Sequence, residues 1–216
     1  MNRNKSHVCI IMDRSGSMQS IAKDMEGGLN TFIQEQKEEP GELTVSFYRF
    51  DDVCEKVIDF AQISTVGELK LEPRNMTALN DAIGKAVKET GEVLSKMLEE
   101  DRPGLVTIMI VTDGGENASK EYTAEMVKSM VSEQESKYNW KFTYLGANQD
   151  SFAVGQNYGL NLASVANYAT SNSNEVWKNY SGKMSAARSC NSSGCSVSMA
   201  YSDTEREVLN QVKDIT

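Results

Sequence analysis

Short apolar runs alternate with amphipathic segments along most of this chain. The apolar runs are the length of β-strands and cover residues 7–12, 43–50, 53–60, 105–112, 140–146 and 162–166. Apolar residues recur at helical spacing in the segments between and after them, at 18–39, 80–99, 123–137, 150–158 and 173–188. This alternation predicts an α/β fold, in which a Rossmann-like, doubly wound and mostly parallel sheet carries helices on both faces. One edge strand is expected to be antiparallel, because only Asp51 and Asp52 separate two of the strand-like runs and so predict a hairpin.

The length of the chain sets the expected number of domains. At 216 residues, 39% of them hydrophobic, it suffices for one well-packed domain and is short for two. We expect that domain to cover residues 1–188. Residues 189–216 begin with a small, polar stretch typical of a linker, and Ser202 and Glu205 then have the spacing of a helix capping box. The apolar residues that follow predict a short amphipathic tail helix, docked on its own domain or on a partner: Val208, Leu209 and Val212.

The charge and the cysteines bear on partners and location. A net charge of -9 argues against a nucleic-acid backbone or an anionic membrane as the main partner. No apolar stretch approaches a membrane span, and the first six residues lack the apolar core of a signal peptide, so we expect a cytoplasmic chain. Neither a disulfide nor a metal site is expected for Cys190 and Cys195. Two thiols are too few ligands for zinc, and the only histidine, His7, is distant in sequence.

One strand-to-helix turn has the sequence Asp13-Arg14-Ser15-Gly16-Ser17, a carboxylate followed by two hydroxyls two residues apart. Two more oxygen donors fall at comparable places: Thr77 just before an amphipathic segment, and Asp113 just after the most apolar strand. An α/β sheet gathers its ligands at the carboxyl ends of its strands. Carboxylate and hydroxyl oxygens are hard donors that suit Mg²⁺. The sequence therefore predicts a magnesium site at that edge of the sheet.

Three stretches carry a resemblance to a known family: DRSGSM at 13–18, NMTAL at 75–79 and IMIVTDGGEN at 108–117. In this order and spacing they resemble the von Willebrand factor A domain family, over roughly residues 5–188, and look like its metal-ion-dependent adhesion site. The resemblance implies that the family's five metal-site positions are Asp13, Ser15, Ser17, Thr77 and Asp113. One departure is that the pair before the threonine is often Gly-Gly in the family and here is Asn75-Met76. The single-domain organisation resembles the stand-alone bacterial and phage versions.

The donor set indicates what such a site would do. Mg²⁺ prefers about six oxygens and usually keeps several waters. Five donors that include only two carboxylates leave a coordination position open and the metal short of negative charge. We therefore expect a metal-dependent protein-binding module, completed by an Asp or Glu carboxylate of a partner protein, with Mn²⁺ or Ca²⁺ as substitutes for Mg²⁺. Loop residues at the same edge are expected to form a rim around the metal, although ordinary loop chemistry is the alternative for each: Arg14, Met18, Asn75, Met76, Glu116, Asn117, Asn148 and Gln149.

Other functions have less support in the sequence. A Ser-His-Asp or Cys-His site lacks a suitable histidine, and neither GxxxxGK nor GxGxxG occurs to mark a nucleotide-binding loop. A Mg²⁺-dependent phosphohydrolase that uses Asp13 as its nucleophile would need a Lys or Arg to hold the phosphate, and only Arg14 is close in sequence. A structural or assembly protein whose metal only stabilises the fold is the other alternative. Finally, the five oxygen donors could be simple turn residues and helix caps.

Overall fold

A computed structural model describes residues 1–211 of the chain. Within this range one sheet has the spatial order β3-β2-β1-β4-β5-β6. Only β3 is antiparallel, to its neighbour β2, and the other pairs are parallel. The predicted mostly parallel sheet with one antiparallel edge is therefore confirmed. The strands are β1 (Asn2–Asp13), β2 (Glu42–Phe50), β3 (Cys54–Gln62), β4 (Pro103–Thr112), β5 (Lys141–Gly146) and β6 (Val165–Asn167).

Helices cover both faces of the sheet, as predicted. They are α1 (Ala22–Glu38), α2 (Leu79–Lys96), α3 (Ala124–Tyr138), α4 (Ser151–Asn157), α5 (Ser173–Ser193) and α6 (Asp203–Asn210). The α geometry of the first helix begins at Ala22 because a 3-10 helix, Gly16–Ser20, precedes it. Over residues 1–211, no helix combines the length and apolar character that crossing a membrane requires.

The central strands are buried on both sides, which explains why their sequences are continuously apolar. In β1, Val8 and Ile10 pack in the cluster that includes α1, α5 and Leu209 of α6, whereas Cys9 and Ile11 pack in the cluster of α2, α3 and α4. This alternation follows from the two-residue period of a strand. The sheet is therefore the middle layer of three.

The end of α5 differs from the expectation for residues 189–216. The helix continues through Ser193, so the small, polar stretch is the last turn of the helix and no linker begins at residue 189. Gly194 ends the helix with a left-handed φ of 76° and folds the chain back. Cys190 and Cys195 then lie with their Cα atoms 5.0 Å apart and form a disulfide. The expectation that these two cysteines are not bonded is therefore wrong.

The tail docks on its own domain. Ser202 and Glu205 form the predicted capping box of α6, with Glu205 N donating to Ser202 Oγ and Ser202 N donating to Glu205 Oε2. Leu209 is fully buried, and its carbonyl accepts a hydrogen bond from Ala169 N (2.8 Å). Val212, which the sequence also places on the apolar face of the tail, lies outside the described residues.

His7 provides a first testable prediction. It is fully buried in β1, stacked on Phe60 with ring centroids 3.8 Å apart, and its Nδ1 lies 2.9 Å from Thr44 Oγ1. Burial lowers the pKa of His7 to about 3. Because this lies below the unfolded value of about 6.5, the neutral ring contributes stability that is fully present above about pH 6.5 and is lost as the pH falls toward 3.

The measurement is the imidazole C–H signal in the NMR spectrum, which is unambiguous because the sequence has one histidine. We expect no titration between about pH 8 and pH 5, given the lowered pKa of His7. A midpoint close to the ordinary value of about 6.5 would contradict the buried placement of the ring.

Candidate functional site

Three loops meet at the edge of the sheet where the parallel strands have their carboxyl ends. β1 ends at Asp13 and β4 at Thr112, and these two strands are parallel neighbours. The loops that follow them therefore leave the sheet side by side, and the loop that precedes α2 reaches the same place. Backbone hydrogen bonds join these loops, from Gly16 N to Asn75 O (3.1 Å) and from Asn117 N to Thr77 O (3.0 Å).

The first loop is anchored by Asp13. Its Oδ1 accepts a hydrogen bond from the backbone N–H of Ser15 (2.6 Å), and its Oδ2 accepts one from the hydroxyl of Thr112 (2.5 Å). Ser15 Oγ lies 3.0 Å from Ser17 Oγ. Asp13 and Ser15 are buried, whereas Ser17 is exposed. The loop thus places a carboxylate at the floor of the site and a hydroxyl at its mouth.

The other two loops complete the cluster. The Ser17 hydroxyl donates to Asp113 Oδ1 at 2.6 Å. Gly114 marks the centre, since a side-chain carbon built on it would lie 3.4 Å from Thr77 Oγ1, 3.5 Å from Ser17 Oγ and 3.9 Å from Asp13 Oδ2. The structure therefore brings the predicted metal-site residues together from three separate loops.

The hydroxyl groups of this cluster do not serve as helix caps. Ser15 is the N-cap residue of the 3-10 helix, but its side chain makes no capping hydrogen bond. The N-cap of α2 is Ala78, which also has no side-chain cap, so Thr77 does not cap that helix. In the part of the chain that the structure describes, these residues are therefore not simply helix caps. Their oxygens face one another instead.

The two carboxylates are held in a partly dry environment without a cationic partner. Burial raises the pKa of Asp13 to about 6, against the opposing effect of hydrogen bonds from Thr112 and Ser15. Burial also raises the pKa of Asp113, opposed by the hydrogen bond from Ser17. Within residues 1–211, neither carboxylate takes part in an ion pair. Two buried carboxylates at one site are the environment in which a bound cation is most favourable.

This donor set fits Mg²⁺ better than it fits a softer metal. Its atoms are all oxygens, two carboxylates and three hydroxyls, at one open edge of the sheet. Among residues 1–211 there is no group of three or more His, Cys, Asp or Glu side chains that could hold a metal. A cation at this site would therefore depend on the serine and threonine hydroxyls as well as on Asp13 and Asp113.

A polar brace fixes the Thr77 loop to the Asp113 loop. Thr77 N donates to Asn117 Oδ1 (2.9 Å), and Asn117 N donates back to Thr77 O (3.0 Å). Next to this pair, Glu116 Oε2 accepts the free N–H of Asn80 in the first turn of α2 (2.8 Å). In return, Asp81 accepts three backbone N–H groups of the loop that follows Glu116, from residues 120–122. Two of the three metal-site loops therefore form one unit with the start of α2.

The brace leads to a second prediction. Asn117→Ala removes the acceptor of Thr77 N, and we expect the affinity for Mg²⁺ to fall about 10- to 100-fold, as for other groups that orient a metal ligand. Titration calorimetry measures the affinity, and circular dichroism checks the fold. Asn117→Asp keeps the accepting oxygen and should retain most of the affinity, as should the exposed Asn157→Ala. If Asn117→Ala and Asn157→Ala bind Mg²⁺ equally well, Asn117 does not position the site.

Most of the predicted rim lies at the surface of this edge. Asn75, Met76, Glu116, Asn117 and Asn148 are exposed, and Gln149 is half-buried. Several of these side chains are already engaged within the protein. Glu116 and Asn117 belong to the brace, and Gln149 Nε2 donates to the carbonyl of Gly114 at 3.2 Å. Met76 and Asn148 have the most freedom to meet a partner, because no hydrogen bond of the described residues engages their side chains.

Two predicted rim residues need correction because they are buried. Only 2% of Arg14 is exposed, and its guanidinium forms ion pairs with Asp51 (3.1 Å) and Glu55 (3.0 Å). Met18 is 0% exposed and packs in the core between the sheet and α1. Position in a loop indicated the right edge of the sheet but not the direction of the side chain. Neither residue can contact a partner in this structure.

The departure from the Gly-Gly pair has a physical explanation. Asn75 adopts a left-handed conformation with φ of 57°, which glycine adopts freely and which asparagine tolerates better than most residues. Asn75 Nδ2 also donates to Asp52 Oδ1 (2.9 Å) in the turn between β2 and β3. Asparagine therefore supports the loop conformation and ties it to a neighbouring turn.

Two contributors to this edge were missed from the sequence. The hydroxyl of Thr112 donates to Asp13 and orients its carboxylate. From the sequence, Thr112 was interpreted only as the last residue of an apolar strand. Val53 lies in the turn between β2 and β3, which the hydrogen bonds of Asn75 and Ala78 bring to the Thr77 loop. For Val53 a signal was available, because the sequence predicted a mostly parallel sheet. A β2 that is parallel to β1 has its carboxyl end, and therefore the turn that follows it, at the same edge.

Comparisons with known proteins bear on the fold alone, because the similar structures described below are only 10% to 13% identical to this chain. No family model and no curated protein sequence matches the chain. Among solved structures it is similar to the pilus adhesin SpaC of Lactobacillus rhamnosus GG, at a TM-score of 0.63 and 10% identity over 84% of this chain and 30% of that one. It is also similar to proximal thread matrix protein 1 of the mussel byssus, at a TM-score of 0.57 and 13% identity over 84% of this chain and 46% of that one.

A third similar structure is a von Willebrand factor type A protein of Catenulispora acidiphila. Its TM-score is 0.56 at 12% identity, over 85% of this chain and 42% of that one. The chain thus spans less than half the length of each of these three proteins.

Proposed function

We propose that this chain, which has the von Willebrand factor A fold, is a metal-dependent protein-binding module. In this proposal the oxygen cluster holds Mg²⁺ and captures an Asp or Glu carboxylate of a partner protein. The supporting observation is the convergence of three loops on Gly114 with two carboxylates and no cation of the protein among them. The residues assigned to the metal are Asp13, Ser15, Ser17, Thr77 and Asp113.

The open side of the site explains why a partner protein would supply the remaining metal ligand. A bound Mg²⁺ supplies a charge that offsets the two carboxylates and offers a coordination position to an outside oxygen. Asp13 is held at the floor by Thr112 and by Ser15 N, and Ser17 lies exposed at the mouth. A partner carboxylate would therefore approach from the exposed side of Ser17.

The same geometry argues against catalysis. His7 is fully buried in β1, with its ring between Phe60 and Thr44, so it is not a base for any hydroxyl of the cluster. Arg14 is turned toward Asp51 and Glu55, which removes the cation that a phosphohydrolase would need. Two of the similar structures are named as an adhesin and a matrix protein, which agrees with a binding role.

The proposed partner is a protein, and neither nucleic acid nor a membrane is proposed, in keeping with the net charge of -9. The proposed location is the cytoplasm, where the Cys190–Cys195 disulfide would be reduced for most of the time. Thiol labelling of these two cysteines in intact cells tests the location. Complete protection of both thiols would place the protein in an oxidising compartment.

A pull-down from a lysate of the source organism tests the function. Immobilised wild-type protein is compared in Mg²⁺ and in EDTA with two variants, Asp13→Asn in the cluster and Asp150→Asn at the same edge. Asp150 is the exposed N-cap of α4, and asparagine is an equally good cap. We expect a protein to be captured by the wild type and Asp150→Asn in Mg²⁺, and to be lost in EDTA or with Asp13→Asn. Identical captures in all arms would contradict the proposal and leave any metal as a stabiliser, while Mg²⁺-dependent turnover of p-nitrophenyl phosphate would favour the phosphohydrolase.

A further inference from the structure

Two exposed apolar side chains lie beside the candidate metal site, on the side of β2. Val53 is 57% exposed in the turn between β2 and β3, and Met76 is 53% exposed directly before Thr77. Turn positions are usually polar, and an apolar side chain exposed to this degree contributes little to folding. We refer to Val53 and Met76 as the apolar shoulder.

Hydrogen bonds between the two loops hold the apolar shoulder next to the oxygen cluster. The link between the β2–β3 turn and the Thr77 loop consists of Asn75 Nδ2 to Asp52 Oδ1 (2.9 Å) and Ala78 N to Asp51 O (2.7 Å). The carbonyl of Asn75 in turn accepts Gly16 N, in the middle of the Asp13–Ser17 loop. The position of the shoulder relative to the site is thus fixed by backbone and side-chain contacts.

The opposite side of the site is polar. There, Asn148 is exposed with a left-handed φ of 56°, and Gln149 is bonded to the carbonyl of Gly114. A ligand that reaches the site therefore meets apolar groups on one side only. This asymmetry gives the site a preferred direction.

We propose that the apolar shoulder selects a partner that presents a single carboxylate flanked by apolar side chains. Those apolar side chains pack on Val53 and Met76. This inference rests on the proposed function and deepens it, because the metal binds the partner carboxylate and the shoulder contacts the side chains next to that carboxylate. Methionine suits such a surface, since its flexible thioether adapts to different apolar groups.

The negative charge of the protein favours a partner with a single carboxylate over a partner with a run of acidic residues. The net charge is -9, and exposed acidic residues at this edge include Asp52, Glu116 and Asp150. A partner with several adjacent carboxylates would be repelled by them, and only one of its carboxylates can reach the metal. Apolar neighbours supply affinity without that repulsion. Burying about half of one aliphatic side chain against the shoulder corresponds to about a five- to tenfold gain in affinity.

The test uses synthetic peptides as probes of ligand chemistry. Four capped nonapeptides share the frame Gly-Ser-Gly-X-Gly-Ser-Gly, in which X is Leu-Glu-Leu, Ser-Glu-Ser, Leu-Gln-Leu or Glu-Glu-Glu. Binding is followed in Mg²⁺ and in EDTA by NMR of protein labelled at the methionine methyl groups, with the Met76 signal assigned from Met76→Leu. We expect Leu-Glu-Leu to bind about five- to tenfold more tightly than Ser-Glu-Ser and Glu-Glu-Glu, and to shift the Met76 signal.

Variants separate the shoulder from the metal. Val53→Ser and Met76→Ser alter exposed positions and should reduce the affinity for Leu-Glu-Leu to that for Ser-Glu-Ser without changing the affinity for Mg²⁺. Leu98→Ser is the matched control, because Leu98 is 66% exposed between α2 and β4, at the opposite edge of the sheet. It should change nothing.

The failures of the two proposals are distinguishable. Equal binding of Leu-Glu-Leu and Ser-Glu-Ser in Mg²⁺, or an unchanged preference in the two shoulder variants, overturns the shoulder and leaves the proposed function standing. Binding of Leu-Gln-Leu as tight as Leu-Glu-Leu, binding that survives EDTA, or no binding of any peptide overturns both.

Discussion

Replacing Asp13 with asparagine is expected to lower the affinity for Mg²⁺ by more than about a hundredfold, since even groups that only orient a metal ligand are worth 10- to 100-fold. The substitution keeps the shape of the side chain and the acceptor of Ser15 N, which lies 2.6 Å from Asp13 Oδ1. It removes one of only two charges in the cluster. Titration calorimetry measures the loss directly.

Thermal unfolding separates this effect from a damaged fold. Mg²⁺ at a hundred times its dissociation constant should stabilise the wild type by about 2.7 kcal/mol and the Asp13→Asn variant not at all. Without metal the variant should be at least as stable as the wild type, because it removes a buried charge. Asp150→Asn is the matched control and should behave as the wild type. An Asp13→Asn protein that binds Mg²⁺ normally would remove this residue from the site.

The second large effect is expected in the packing of α1 on α5. A side-chain carbon at Gly28 would lie 2.2 Å from Cδ1 of Trp177, and Trp177 is fully buried beside Phe32, with ring centroids 5.9 Å apart. Neither helix can yield without disturbing the core. Gly28→Ala is therefore expected to reduce the free energy of unfolding by about 1–3 kcal/mol.

The neighbouring glycine is the control for this prediction. A side-chain carbon at Gly27 would meet nothing within 4 Å, and Gly27 is exposed on the same helix. Gly27→Ala should raise the free energy of unfolding by about 0.5–1 kcal/mol, through the higher helix propensity of alanine. Urea unfolding of both variants measures whether each substitution lowers or raises the free energy of unfolding. Equal effects at the two positions would show that α1 and α5 do not pack as closely as described.

Sequence periodicity was enough to predict the architecture. The runs at 7–12 and 105–112 are continuously apolar because β1 and β4 are covered on both faces, and this pattern is typical of central parallel strands. Asp13 and Asp113 could be placed at one edge because each follows such a strand. Thr77 follows no strand-like run and a threonine before a helix is usually a cap, so the resemblance to a family motif was the stronger support for placing it there.

Side-chain direction could not be predicted from loop position. Arg14 and Met18 lie in or beside the first loop, yet one turns to the buried carboxylate Asp51 and the other enters the core. Both directions depend on partners far away in sequence.

The disulfide depends on where α5 ends, and the shoulder depends on contacts between loops that are distant in sequence. Cys190 and Cys195 approach only because α5 runs to Ser193 before the chain folds back. Val53 becomes part of the site only because Asp51 and Asp52 are tied to the Thr77 loop. Periodicity describes which elements form, and such contacts appear only once the elements pack.

The most direct test of the central claim is an anomalous difference map from crystals grown with Mn²⁺, which takes the same oxygen ligands as Mg²⁺. We predict one strong peak within bonding distance of the hydroxyls of Ser15 and Ser17, with Asp13, Thr77 and Asp113 around it. A map with no peak at this place, or with its only peak elsewhere on the protein, would contradict it.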